Sequence, residues 1–328
     1  MEFTEFPDLA AARLGGRALL ANDEFFAPRT NLLKPGSGIF IPGKFTARGK
    51  WMDGWETRRR RTPGHDWCIV RLGLRGRLRG VDVDTNHFIG NFPESCSLDG
   101  CDLPAGASSA TLRRARWTEV LPKQVLQGDS RNLFPIETAS PFTHVRLNIY
   151  PDGGVARLRV HGEVELDWRR LAGKLLDLAA IGQGGVVIAV SDEHFGSREN
   201  LLMPGRASNM GDGWETRRRR GPGHDWAIVK LGASGRIEQL EVDTNHFKGN
   251  YPDSCEIEAC LAPGAARSAL LENRVSWTEL LPQTKLSAHK RHSFSKLLAR
   301  GPFSHLRLNI FPDGGVSRLR AHGRALAP

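Results

Sequence analysis

Between Trp55 and Trp67 the chain gathers Glu56, the arginine run Arg58 to Arg61, His65 and Asp66 around a Pro-Gly turn. Further on, VDVDTNHFIGN places Asp84, Asn86 and His87 where a strand runs out into a loop. Val81 and Val83 mark its buried parity, Asp82, Asp84 and Asn86 lie on the opposite one, and Gly90 and Asn91 end it. Imidazole, carboxyl and guanidinium groups brought together are the means of general acid and base chemistry on an anionic substrate. They are also the makings of an ordinary polar surface, and a half-buried, hydrogen-bonded histidine is the plainer reading of His65 and His87. A third group comes from THVRLNIYPDGGVARLRVHG, in which Arg146, Asn148 and Arg157 share the polar parity. If PDGG closes a simple hairpin, Arg146 faces Arg159 and His144 faces His161. Like charges opposed on a sheet call for counter-charges from a neighbouring element or for a bound anion. A solvated outer face and ion pairs between modules remain open readings of the same pattern.

All of these groups occur twice. DGWETRRRRTPGHDWCIVRLG, from Asp53, returns as DGWETRRRRGPGHDWAIVKLG, from Asp212, and VDVDTNHFIGNFPESCSLDGC returns as LEVDTNHFKGNYPDSCEIEAC. The second copies of the polar residues are Glu215, Asp243, Asn245, His246, Arg307, Asn309 and Arg318. A period this long means duplicated domains rather than a solenoid. The expected organisation is a first repeat at 1–162, a linker at 163–176 with near-helical apolar spacing, and a second repeat at 177–328. Runs such as DWCIVRLG, THVRLNIY and VARLRVHG alternate apolar and polar residues between Gly, Pro, Asn and Asp turns. The pattern predicts an all-β protein of two tandem sandwich or jelly-roll modules joined by a short helix.

The chain of 328 residues has a hydrophobic fraction of 40%, enough for real cores, and no apolar run of membrane-spanning length. Its amino terminus carries acids where a secretory signal would be basic, so a cytoplasmic location is expected, with no membrane partner. An odd count of 5 cysteines argues for buried reduced thiols over a disulfide framework. The net charge of +10 favours anionic partners. Regularly interleaved aromatics and a known basic motif are missing, which weighs against nucleic acid. Walker, GxGxxG, GxSxG and HExxH motifs are absent as well. No tight pair of histidines marks a metal site, so no metal ligands are assigned, although a divalent metal remains compatible with His65, Asp66, Asp84 and His87.

The twice-present DGWETRRRR, PGHDW, VDTNHFxGN, PxSC and RLNIxPDGGVxRLR resemble the motifs of the allantoicase family over almost the whole chain, 8 to 323. The resemblance implies two jelly-roll modules similar to galactose-binding domains, hydrolysis of allantoate to ureidoglycolate and urea, and compatibility with a closed homo-oligomer. The first repeat is longer by about ten residues around Gly36 to Trp51. For that reaction, strand parity and chemistry select Arg146 or Arg157, with Arg307 or Arg318, to hold the substrate carboxylate. They select His87 with Asp84 or Glu56, and His246 with Asp243 or Glu215, to exchange protons, and Asn86, Asn148, Asn245 and Asn309 to bond the ureido groups. One site per module and one shared site explain the doubling equally well. A non-catalytic sandwich that binds a small ligand or carbohydrate is the alternative from another class.

Overall fold

In a computed structural model that describes residues 2–326, the chain divides into two compact units, Glu2–Glu165 and a second beginning at Leu166. The first unit is organised by one long strand, Asp66–Asp84. Its leading part, Asp66 to Arg71, pairs antiparallel with Arg17–Ala21 on one side and with Phe142–Tyr150 on the other. Ser95–Cys101 and Thr118–Val125 extend this sheet to five strands. Its trailing part, Gly76 to Asp84, pairs with Arg157–Val164 and Arg131–Pro135. The strand thus passes from one sheet into the other, and the pairing breaks between Arg71 and Gly76. Gly76 is required at that corner because a Cβ there would lie 2.3 Å from the Glu163 carbonyl oxygen.

Period-two alternation fills the space between the sheets. Cys68, Val70, Cys96, Leu98, Val145, Leu147 and Ile149 from the larger sheet meet Leu78, Val81, Val83, Leu158 and Val160 from the smaller one in a single core cluster. A shift of register between His161 and Gly162 lets Leu78 and Val81 both face inward across the bulge. Burial of each such side chain contributes on the order of 1.5–3 kcal/mol. All five cysteines are free and buried, and burial pushes their thiols up.

The expected hairpin does not form. Phe142–Tyr150 and Arg157–Val164 belong to different sheets, because Gly154–Val155 leaves the turn to pair with Trp55–Glu56 and bridges the two layers. The inward parity of both strands survives, but Arg146 does not face Arg159, nor His144 His161. Arg146 has Asp99 opposite it and Arg159 has Asp82, so the counter-charges come from adjacent strands. Asp82 and Asp84, on the side expected to be polar, are only 2% and 5% exposed because loops cover that face.

The second unit repeats the arrangement around Asp225–Asp243, with Phe303–Phe311 and Arg318–Ala325 in the corresponding places. A four-residue helix, Trp168–Leu171, lies at its beginning, within the stretch read as a linker. Among the described residues no helix is long and apolar enough to cross a membrane.

Candidate active site

Three loops meet at one end of each sandwich, and the bridge between the sheets is what brings them together. In the first unit the Thr57 amide donates to the Gly153 carbonyl at 3.1 Å and the Gly154 amide to the Asn91 carbonyl at 2.7 Å. The Arg60 amide donates to Asp152 at 2.7 Å. Gly153, at φ +140°, lies so close to the Asn91–Pro93 backbone that a Cβ there would fall 2.7 Å from Pro93 N. The consequence is a side-chain pair across the loops: the Asn91 amide donates to Glu56 Oε1 at 2.7 Å. The second unit builds the same group, with Asn250 donating to Glu215 Oε1, Thr216 N to Gly314 O at 3.2 Å and Arg219 N to Asp313 at 2.8 Å. There the loops enclose a cleft of about 750 Å³ whose wall includes Glu215, Arg218, Arg219, Asn250, Tyr251 and Asp313.

The arginine run, which follows the short strand Trp55–Glu56, alternates between paired and unpaired residues. Arg58 is paired with Asp23 at 2.6 Å and Arg60 with Asp66 at 2.8 Å; Arg217 and Arg219 pair with Asp192 and Asp225 at 2.8 and 2.5 Å. The residues between them, Arg59 and Arg218, are exposed and have no ion-pair or hydrogen-bond partner among the described residues. Burial raises the Glu56 carboxyl above its ordinary range, and the Asn91 amide offsets this only in part. The second unit therefore sets a buried carboxyl, oriented by one amide, on the same cleft wall as a guanidinium with free donors, and the first unit repeats the carboxyl–amide pair at a half-buried Glu56. In the first unit burial and the nearby Arg146 and Arg60 hold the His65 imidazole below its usual range, with its ring 4.7 Å from that of Tyr150.

The other residues singled out from the sequence are placed elsewhere. Asp84 caps its own loop, accepting from the Asn86 amide at 2.8 Å, and burial raises its carboxyl. His87 takes a left-handed φ of 68°, and its Nε2 lies 3.1 Å from the Gly38 carbonyl oxygen. His246 repeats this at φ 71°, with Nε2 3.0 Å from Ala207 O, which also accepts from Asn245 at 3.2 Å. Asp243 lines a second pocket that shares no lining residue with the Glu215 cleft, and His246 lines neither. Arg157 is 2% exposed and is spent on Asp53, donating to its carboxylate at 2.5 Å and its carbonyl at 2.7 Å; Arg318 bonds Asp212 in the same way. Arg146 and Asn148 lie on the outer face of the larger sheet, where both donate to Asp99 Oδ2 at 2.8 Å, and Arg307 and Asn309 both donate to Glu258.

The structure thus sets Glu215 in a cleft, repeats its asparagine partner and loop contacts at Glu56, and gives Asp243 to a different pocket. It adds Asn91 and Asn250, and from the arginine runs it picks out Arg59 and Arg218, none of which the sequence reading had given a role in the reaction. The available signal was their presence in both copies of the repeated motifs, but only the folded loops show which arginines are already paired. Among the described residues no three His, Cys, Asp or Glu side chains converge as metal ligands.

Comparison with known proteins places the chain in a family. The family model described as allantoicase repeat matches residues 7–165 and 176–326. A probable allantoicase of Pseudomonas aeruginosa is 53% identical over 99% of this chain and 98% of its own, and probable allantoicase 1 of Burkholderia mallei is 51% identical over 98% and 96%. The crystal structure of allantoicase from Saccharomyces cerevisiae, 36% identical, matches with a TM-score of 0.83 over 97% of this chain and 92% of that one. Two matched repeats, and relatives aligned from end to end, show that the chain belongs to the allantoicase family.

Proposed function

We propose that allantoate is split into ureidoglycolate and urea in the cleft that holds Glu215, and in its counterpart around Glu56. The hydrolysis itself is the activity of the family to which the chain belongs, and a purely carbohydrate-binding role is not favoured. Allantoate carries a carboxylate and two ureido groups on one carbon. In this reading Arg218, or Arg59, takes the carboxylate with its unpaired donors. Glu215, or Glu56, gives a proton to one ureido nitrogen as the carbon–nitrogen bond breaks, and the bonding pair leaves with urea. The nitrogen of the remaining ureido group supports the electron-poor carbon with its lone pair. Water adds there, and its proton returns to the glutamate. Asn91 and Asn250 keep the carboxyl aimed. His87 with Asp84, and His246 with Asp243, shape the loops, while Arg146, Asn148, Arg157, Arg307, Asn309 and Arg318 hold strands and loops in place.

One observation carries the reading: in the second unit a carboxyl with an amide partner shares a cleft wall with a guanidinium that nothing else neutralises, and the first unit repeats the carboxyl–amide pair with an unpaired arginine three residues on. A group that donates to the leaving atom typically contributes about 10²- to 10⁴-fold in rate. Urea release from allantoate by the E56Q/E215Q double variant, measured with and without chelator, tests it. A fall of that order is expected, and full turnover would remove the glutamates from the reaction. Cytoplasmic residence and a closed homo-oligomer belong to the same proposal, and cell fractionation and sedimentation velocity check them.

A further inference from the structure

In the second unit another pocket, of about 370 Å³, opens on the outer face of the smaller sheet. Its wall carries the guanidiniums of Arg206, Arg291 and Arg320 and the carboxylates of Asp177, Glu241 and Asp243. Each guanidinium stands off from its acid: Arg206 Nε is 3.5 Å from Asp243, Arg291 Nε 3.7 Å from Glu241, and Arg320 Nη1 3.5 Å from Asp177. The side chains of Arg206 and Arg291 make no hydrogen bond among the described residues. Arg320 is 9% exposed; its Nη2 is taken by the carbonyls of Met203 and Gly205, but its buried Nη1 has no acceptor. A buried N–H without a partner costs about 1–3 kcal/mol, so an acceptor is wanted there.

The first unit closes one of these pairs and leaves another open: Arg159, the counterpart of Arg320, has its Nη1 3.9 Å from Asp8. Arg131 donates Nε and Nη2 to Asp82 at 2.8 and 2.6 Å, and His161, the counterpart of His322, bonds the Phe6 carbonyl through Nδ1 at 2.8 Å. In the aligned segments LLKPGS and LLMPGR, Ser37 stands where the second unit has Arg206. The extra guanidinium of Arg206 and the open Arg291–Glu241 pair are therefore particular to the second unit.

A simple anion in this pocket would meet three carboxylates, and a simple cation three guanidiniums. A ligand with acceptor oxygens at one end and N–H donors at the other satisfies both sets. We propose that this pocket is a second site for a small ureido acid. The ligand's carboxylate sits between Arg206 and Arg291, its ureido N–H groups donate to Asp243 and Glu241, and its ureido oxygen supplies the acceptor that Arg320 lacks. Substrate and product of the reaction above belong to this class, so the pocket senses them. The inference rests on the reading that catalysis takes place in the glutamate clefts.

The probe is N-carbamoylglycine, which has one carboxylate and one ureido group and no second group on the carbon to complete the reaction. Calorimetric titration of the full chain carrying E56Q/E215Q is expected to show binding that R206S, a change to the first unit's residue at an exposed position, weakens about tenfold or more. R291A is expected to do the same. A titration unchanged by both substitutions overturns the proposal. So does complete loss of urea release in R206S with both glutamates intact, since the chemistry would then lie in this pocket. Full turnover by E56Q/E215Q, with binding still lost in R206S, supports the pocket's ligand class and overturns the glutamate assignment alone.

Discussion

A carboxyl that must protonate a leaving nitrogen is helped by a raised pKa, and at Glu56 burial raises it while Asn91 works against this. The rate should therefore fall as pH rises through the raised pKa of Glu56, at higher pH than a solvent-exposed glutamate would allow. N91A removes the interaction that lowers that pKa, so in an E215Q background the alkaline limb of the pH–rate profile should move to higher pH while kcat drops. A pH-independent loss would mean that the amide only shapes the loop. The same shift has a stability sign. The folded chain holds the Glu56 proton to higher pH than the unfolded chain does, so this contribution is full below the ordinary carboxylate range. It is lost as pH rises through the folded pKa. E56Q should leave the thermal midpoint at neutral pH unchanged or raised while activity falls, and a clear drop in midpoint would assign Glu56 a structural task.

At the scale of elements, the site depends on the short bridge between the sheets. A Cβ at Gly154 would fall 1.9 Å from the Phe88 ring, and one at Gly315 would fall 2.0 Å from that of Phe247. G154A should therefore cost on the order of 1–3 kcal/mol or more by forced repacking, and should loosen the Asn91 loop that orients Glu56. Chemical denaturation together with urea release measures both effects; a G154A chain of unchanged stability would show that Phe88 can move aside. Trp55, fully buried beside Glu56 with its indole N–H donating to the Asp23 carbonyl at 2.8 Å, is the anchor of the same bridge. W55A should cost roughly 3–5 kcal/mol.

For the whole molecule, duplication means that each unit carries its own core and its own glutamate, asparagine and unpaired arginine. E56Q and E215Q taken singly should each leave part of the turnover, with the two losses accounting together for the loss in the double variant. A single variant that abolishes all urea release would assign the chemistry to one repeat. The units are not copies in every respect, since Arg206 has no counterpart in the first, and ligand binding outside the glutamate clefts should follow the second unit only.

Much of this was legible in the sequence. The repeated motifs determined the duplication and the family, and period-two alternation determined which of Val81, Val83, Val145, Leu147, Ile149, Leu158 and Val160 face a core, because side chains alternate across a strand wherever it pairs. Strand partners were not determined, since PDGG suits a hairpin locally and only the competing pairing of Gly154–Val155 with Trp55–Glu56 sends the chain to the other sheet. Nor could the sequence say which polar groups are free. Arg157 looks like an anion clamp until Asp53 is beside it, and Arg59 looks like its neighbours until Asp23 and Asp66 have taken them. Asp53 and Asp23 lie far along the chain from the arginines they take, so availability for chemistry was decided by tertiary contacts, which neutralise most charges and leave a few exposed to a ligand.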